Sequence, residues 1–336
     1  MPRPTAVLPA SRDAIVRAAA VIRAGGLVAF PTETVYGLGA NALDAAAVGQ
    51  IFQAKGRLAT NPVIVHIAQR SALDGLVADV PKIADRLAAQ FWPGPLTLVL
   101  PRGTAVPDIV TAGGPTVAVR APAHPVAQEL LRACDLPLAA PSANRSMCLS
   151  PTRAEHVLRG LDTRIDLILD GGPCSGGLES TVLDVTTDPP TLLRPGLIRL
   201  GDLEAVVGPI ARKRSEGHVA RSPGMMSRHY SPQTPIDFTA DDGQERVAEL
   251  LHQGLRVGWL TCGPVPGSND SHLVRESLPN DPAGYAARLY DALHRLDAAG
   301  VNRIVLALPP EDDAWLAVHD RLSRMTPGIA HTTFAV

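Results

Sequence analysis

Apolar runs of four to six residues alternate along the chain with stretches whose apolar positions recur at helical spacing. Behind Ser11, a predicted N-cap, Ile15, Ala19 and Ile22 line one face of a helix that Gly25-Gly26 stops. A strand over 27–30, a helix over 44–55 and a strand over 63–67 follow. The same pattern predicts a helix over 81–90, strands over 96–100 and 117–120, and a helix over 125–133. Four more strands fall over 136–140, 167–169, 181–185 and 192–194. Such alternation predicts an α/β domain with a twisted, mixed sheet over residues 1–210.

The alternation breaks over 211–235, where small, polar and Pro-bearing residues have the composition of a linker. It resumes over 236–336, with strands at 235–238, 255–261 and 302–308 and helices at 242–252, 282–299 and 314–324. This predicts a second, smaller Rossmann-like α/β domain. It carries no GxGxxG, so the shape alone does not imply a dinucleotide, and a lid, a regulatory module and a plain scaffold all remain open.

At 336 residues the chain exceeds what one core usually supports, and 46% hydrophobic residues suffice for two. Only 4% are aromatic, so Ala, Val, Leu and Ile must build both cores. Cys134, Cys148, Cys174 and Cys262 lie far apart with no CxxC pair, which argues against a disulfide framework or a structural zinc site. The N-terminus shows no secretory pattern and no apolar run reaches membrane length, so a cytoplasmic protein without membrane attachment is expected. Residues 1–215 hold 21 Lys+Arg against 18 Asp+Glu, and 216–336 hold 10 against 15. That balance is too weak for a dedicated nucleic-acid binder but suits a local pocket for a nucleotide.

Candidate chemistry concentrates in residues 31–68. After the strand at 27–30, Thr32, Thr34 and Tyr36 lie on a turn whose hydroxyls and open backbone can face a ligand. The helix ending at Lys55-Gly56-Arg57 puts two cations where its dipole favours them, and Asn61-Pro62 leads into the strand that carries His66. Taken singly, Lys55 and Arg57 also fit a solvated helix cap, and His66 a satisfied core histidine. The chain has only three lysines, Lys55, Lys82 and Lys213, so Lys55 does not belong to a lysine-coated surface.

No GxSxG elbow, no Cys beside a His and no carboxylate pair with a His is present, which argues against covalent catalysis. What remains is a set of cations (Lys55, Arg57, Arg120, Arg145, Arg194) and hydroxyls (Thr34, Thr116, Ser142, Ser150, Ser180) able to hold phosphates and a carboxylate. Such a site works by positioning two substrates and neutralising charge. GxxxxGKS and GxxxxGKT are absent, so no Walker-type loop holds the nucleotide.

The blocks PTETVYGLG, KGR, NPVIVH, FWPGPLTLVL, TVAVRAP, APSANRS, SPT, ESTVLDV and LLRPG occur in that order between Pro31 and Gly196. Together they closely resemble the YrdC-like domain of threonylcarbamoyl-AMP synthases, and SPGMMSRHYSP at 222–232 resembles the linker of the family's two-domain form. The resemblance implies synthesis of threonylcarbamoyl-AMP and pyrophosphate from L-threonine, bicarbonate or CO₂, and ATP with Mg²⁺. It also implies a downstream threonylcarbamoyl-transfer machinery that acts on tRNA, without stable nucleic-acid binding by this chain. On this resemblance Thr34, His66, Arg120 and Ser180 hold threonine with the Ala140 backbone beside it. Lys55, Arg57, Asn61, Thr116, Ser142, Asn144, Ser150 and Arg194 line the ATP side, and Lys55 and Arg57 are the catalytic cations. Arg228, His229 and Tyr230 bring together a cation, a titratable ring and a phenol that a spacer does not need, so a linker gate is expected there, and the metal is expected to come with ATP without protein ligands. The chain departs from the pattern at Leu58-Ala59, where a Pro is common after the first residue trio, at Met147-Cys148-Leu149, where a Gly is usual, and at Met226-Ser227 in the linker. A nucleic-acid module and a regulatory threonine or nucleotide sensor are the competing readings. The related hydrogenase-maturation carbamoyltransferases carry zinc-finger cysteines that this chain lacks.

Overall fold

Ser11 opens the first helix as its pattern predicts: the hydroxyl accepts from Ala14 N at 3.3 Å and satisfies one of the free N-terminal amides. The computed structural model describes residues 4–212, 230–264 and 270–325, in two units. In chain order the first unit contains β1 (Ala6–Pro9), α1 (Arg12–Arg23), β2 (Val28–Phe30), β3 (Gly37–Asn41), α2 (Ala45–Lys55) and β4 (Val65–His66). Then come α3 (Lys82–Phe91), β5 (Leu96–Pro101), α4 (Asp108–Thr111), β6 (Thr116–Arg120), α5 (Pro125–Cys134) and β7 (Leu138–Ala139). The unit closes with α6 (Ala154–Leu161), β8 (Leu167–Asp170), β9 (Thr181–Asp184), β10 (Thr191–Arg194), α7 (Leu200–Val207) and β11 (Ala211–Arg212).

The eleven strands form one mixed sheet in the order β1-β8-β2-β3-β7-β4-β6-β5-β9-β10-β11. The mixed α/β sheet is therefore the expected one, with additions. β1, α4, α6 and α7 fall between the patterns used to place elements, and β3 occupies a stretch that reads as turn because two of its five residues are glycine. At Gly39 the backbone passes so close to Phe30 that a Cβ would stand 2.7 Å from the ring. β11 pairs in parallel with β10, so the sheet continues to Arg212, past the expected boundary at 210.

The apolar faces of α1 and α5 close over the sheet through Ile15, Ile22, Leu130, Leu131, Phe30 and Leu169, all buried. Burying each such side chain contributes about 1.5–3 kcal/mol, which fixes the strands that carry the polar groups described below.

In the second unit, β12 (Ile236–Thr239), α8 (Gln244–His252), β13 (Val257–Cys262), β14 (Leu273–Leu278), α9 (Pro282–Ala298), β15 (Arg303–Ala307) and α10 (Leu316–Ser323) build a four-stranded parallel sheet ordered β12-β15-β13-β14. β14 adds a strand to the expected pattern; its alternating half-exposed positions fit an edge. Val247, Leu250, Val257, Trp259 and Val305 form a core on one face. Met147–Leu149 group with this unit, where Ser231 N donates to Met147 O at 3.0 Å. Met147 has φ 71°, the left-handed region, at the position where the resemblance expects Gly.

Candidate active site

Strand pairing sets a row of polar groups across the first sheet. His66 on β4 stands beside Arg120 on β6 in the parallel register. β5 runs antiparallel to β6 with Leu98 opposite Val119, which brings Thr97 opposite Arg120. β9 lies parallel to β5 with Val182 beside Thr97, which puts Ser180 at the same end. Because side chains alternate between faces, the residues two positions along each strand share this face. These are Ile64, Ala118, Val99 and Val182, and they pack with Leu193 into an apolar cluster. One row of the face is thus core, and the row at its edge is polar.

The polar row is internally bonded. Thr97 Oγ1 and Ser180 Oγ are 2.7 Å apart, and Arg194 from β10 donates through Nη2 to Ser180 Oγ and through Nε to Ser180 O, both at 3.1 Å. Gly196 is required for this approach, since a Cβ there would stand 2.3 Å from Thr181 N. Arg120 Nε donates to Gly94 O at 3.2 Å, and Nη1 donates to Thr34 Oγ1 at 2.9 Å. Its Nη2 lies 2.6 Å from Glu33 Oε1. His66 is buried and packs edge-on against Phe30, ring centroids 6.4 Å apart. Burial, with the Arg120 cation adding to it, pulls its pKa down to about 3, so the imidazole is neutral at physiological pH.

The 31–36 turn is organised by Thr32. Its hydroxyl receives the amides of Thr34 and Val35 at 3.2 Å each and lies 2.7 Å from Thr34 Oγ1, which turns the Thr34 hydroxyl toward Arg120. Tyr36 is fully buried and directs its OH to Gly172 O at 2.8 Å, so it braces the loop after β8. Ala140 follows β7 with its N–H on Ile64 O at 2.9 Å, so it lies beside the apolar row of this face.

A second set of groups gathers at the end of α2. Asp44 caps the helix, accepting from Ala46 N at 2.8 Å and Ala47 N at 3.2 Å, and Gly56 ends it at φ 60°. That left-handed residue sends Lys55 and Arg57 to different partners. Lys55, 3% exposed, donates through Nζ to Ser142 O and Asn144 O, each at 2.5 Å, with Asn144 Oδ1 at 3.4 Å. It is a clip for the Ser142–Asn144 loop and does not form a solvated cap. Ser142 Oγ donates to Asn144 Oδ1 at 2.6 Å. Arg57 Nη2 reaches Asn61 O at 3.2 Å and Pro62 O at 2.8 Å, with the guanidinium 6.0 Å from the Phe52 ring. Ser150 Oγ donates to Glu179 Oε1 at 2.5 Å.

Strand register thus aligns His66, Arg120 and Ser180 along one edge, with Thr34 bonded to Arg120 and Ser180 bonded to Arg194, while Lys55, Ser142 and Asn144 are tied into one loop. Thr116 begins β6, about 13 Å along the strand from Arg120 at the usual rise per residue, and so stands apart from the polar row. Arg228 and His229 lie outside the described residues. Tyr230 is 1% exposed inside the second unit, 6.0 Å from the Tyr290 ring and beneath Arg321 at 5.6 Å, so its phenol anchors there. Glu33, Thr97 and Glu179 join the site although no role is read for them in the sequence; Glu33 and Glu179 sit inside the PTETVYGLG and ESTVLDV blocks.

Residues 20–196 match the family described as Telomere recombination, and residues 198–325 match the C-terminal domain of threonylcarbamoyl-AMP synthase. The chain is 44% identical to the threonylcarbamoyl-AMP synthase of Pyrococcus abyssi, over 91% of this chain and 92% of the relative. Identity to that of Bacillus subtilis is 45%, over 94% and 93%. Among solved structures, Pyrococcus abyssi Sua5 complexed with L-threonine superposes with a TM-score of 0.86 at 42% identity, covering 95% of this chain and 96% of that one. A double alanine variant of the same protein gives 0.87 at 41% identity over the same shares. With both domains matched and the relatives covered almost end to end, the chain belongs to the threonylcarbamoyl-AMP synthase family.

Proposed function

We propose that this enzyme converts L-threonine, bicarbonate or CO₂, and ATP into L-threonylcarbamoyladenylate and pyrophosphate, for N6-threonylcarbamoyladenosine formation on tRNA. The observation that carries the reading is the row His66, Arg120, Thr97 and Ser180, closed by Thr34 and Arg194. It offers a buried guanidinium for a carboxylate and neutral donors and acceptors for a hydroxyl, in a chain whose relatives are named for this synthesis. Arg120 holds the amino-acid carboxylate, and neutral His66 with Thr34 and Ser180 packs the side chain, beside the Ala140 backbone.

In the first step R–NH₃⁺ and HCO₃⁻ give R–NH–COO⁻, water and a proton. A carbamate oxygen then bonds to the α-phosphorus of ATP and the bond to the β-phosphate bridge breaks, releasing pyrophosphate. Arg57, Asn61, Thr116, Ser142, Asn144, Ser150 and Arg194 are assigned to the nucleotide, with Lys55 fixing the backbone of the Ser142–Asn144 loop for it. No side chain forms a covalent bond, so catalysis rests on placement and charge.

The Mg²⁺ of this reading is carried on the ATP phosphates and water, the oxygen ligands such an ion prefers. When bound, the ion supplies further neutralisation of phosphate charge. No helix among the described residues is long and apolar enough to cross a membrane. We place the enzyme in the cytoplasm, handing its labile product to a threonylcarbamoyl-transfer machinery that acts on tRNA.

The deciding experiment follows pyrophosphate in a mixture of protein, ATP, Mg²⁺, bicarbonate and single amino acids. Release should require threonine and bicarbonate together. Serine should be poorer by about 1–3 kcal/mol in the transition state, since the pocket loses one methyl-sized contact. Equal release with no amino acid would reduce the protein to an ATPase and overturn the reading.

A further inference from the structure

Glu33 is the one charged side chain of the 31–36 turn, and none of the steps above uses it. It faces Arg120 across 2.6 Å, with 15% of the Glu33 side chain and 4% of the Arg120 side chain exposed. The backbones of Glu33 and Ala123 also approach the carboxylate. Yet neither carboxylate oxygen, nor Arg120 Nη2, completes an aligned hydrogen bond among the described residues. Burial raises the Glu33 carboxyl, but the Arg120 charge and its hydrogen-bonding contact, joined by the Glu33 and Ala123 backbones, together outweigh it and hold the pKa below its ordinary value, so Glu33 stays ionised.

The pair is therefore a close buried ion pair whose carboxylate oxygens and Arg120 Nη2 N–H groups are left short of well-aligned partners. Buried polar atoms left this way are costly, and a ligand that satisfies both poles recovers the cost. An α-amino acid zwitterion has the complementary layout: an ammonium with three donors next to a carboxylate. A neutral pair that meets a neutral zwitterion adds no net charge to the pocket.

We propose that Glu33 recognises the α-ammonium of threonine while Arg120 takes the carboxylate. This rests on the reading of the pocket as the threonine site. Carbamate formation then inverts the charge at that nitrogen: R–NH₃⁺ and HCO₃⁻ become R–NH–COO⁻, water and a proton. Glu33 attracts the ammonium of the substrate and repels the carbamate, so it both selects the uncarboxylated amino acid and turns the new carboxylate away from itself.

The test is calorimetric titration of the full chain with L-threonine and with 2,3-dihydroxybutanoate, in which a hydroxyl replaces the ammonium. The wild-type chain should bind threonine about tenfold tighter or more, the worth of a charged hydrogen bond. Glu33→Gln should lose about tenfold for threonine, little for the hydroxy acid, and so close the gap between them. Equal binding of the two ligands by the wild-type chain overturns the proposal without reliance on any variant. A Glu33→Gln chain that loses both ligands equally also overturns it, because Glu33 would then only hold Arg120 in place. If the wild-type chain binds no threonine, the threonine reading itself falls, and the Glu33 assignment with it.

Discussion

Arg120 Nη1 donates to Thr34 Oγ1 at 2.9 Å, a bond that ties the end of β6 to the turn after β2, 86 residues away in sequence. Thr34→Val keeps the shape and removes the acceptor. A hydrogen bond to a charged group is worth about 1.5–3 kcal/mol, so threonine affinity should fall at least tenfold. Binding of a non-hydrolysable ATP analogue should be unchanged, and titration with each ligand separates the two.

Lys55 spends its ammonium on backbone carbonyls, so its replacement should act through the Ser142–Asn144 loop. Lys55→Met leaves buried acceptors unsatisfied at about 1–3 kcal/mol each. Thermal unfolding of the first domain should drop by several degrees, and ATP-analogue affinity should fall while threonine binding persists. Lys55→Arg should not rescue it, because a planar fork cannot converge on the carbonyls that the compact ammonium reaches. Loss of turnover with stability and nucleotide binding intact would instead assign Lys55 to the reaction itself.

His66 stays neutral in the folded chain down to about pH 3, whereas the unfolded chain protonates near 6.5. Between those values the unfolded state binds the extra proton, so stability falls as pH falls through that window. Glu33, held below its ordinary value with Arg120 beside it, adds loss in the same direction at the acid end. Denaturant titrations of the wild type and His66→Asn at several pH values between 7 and 4 should show a flatter slope for the variant. Threonine affinity should show no inflection near pH 6.5.

Met147 adopts φ 71° while 44% exposed, so its side chain contributes little burial to offset the left-handed backbone. Met147→Gly should relieve that cost and stabilise the chain by about 1 kcal/mol or less, the flexibility of Gly in the unfolded state taking back part of the gain. Thermal denaturation of the full chain measures it. A lower midpoint would show that the Met147 side chain has packing value that its exposure does not reveal.

The alternation of runs was enough to locate most sheet strands and both α/β units, because apolar periodicity reports burial directly. β3 was illegible as a strand since Gly37 and Gly39 have no side chain to enter the pattern, and the Thr, Tyr and Gly residues after β2 together read as a turn. The motif blocks brought Arg120, His66, Thr34 and Ser180 to attention as separate residues. Their assembly depends on register: nothing in the sequence says that Thr97 stands opposite Arg120 or that Arg194 reaches back to Ser180. Lys55 was legible as unusual from lysine scarcity, but its choice of carbonyl partners depends on a loop 87 residues further on. Tyr230 read as part of a gate because the sequence places it beside Arg228 and His229, whereas the fold buries its ring against Tyr290.

The polar row and the apolar row beside it are two residues apart along each of the chain segments of β4, β6, β5 and β9. A one-residue deletion inside β4, β6, β5 or β9 would therefore turn its member of the row to the opposite face of the sheet, where the change could not be repaired by a side-chain movement. Length can vary in the connecting loops and helices without that penalty. The site is thus tolerant of growth between its parts and intolerant of any within them, which defines where insertions can be engineered into this enzyme and where the lengths of its natural variants must agree.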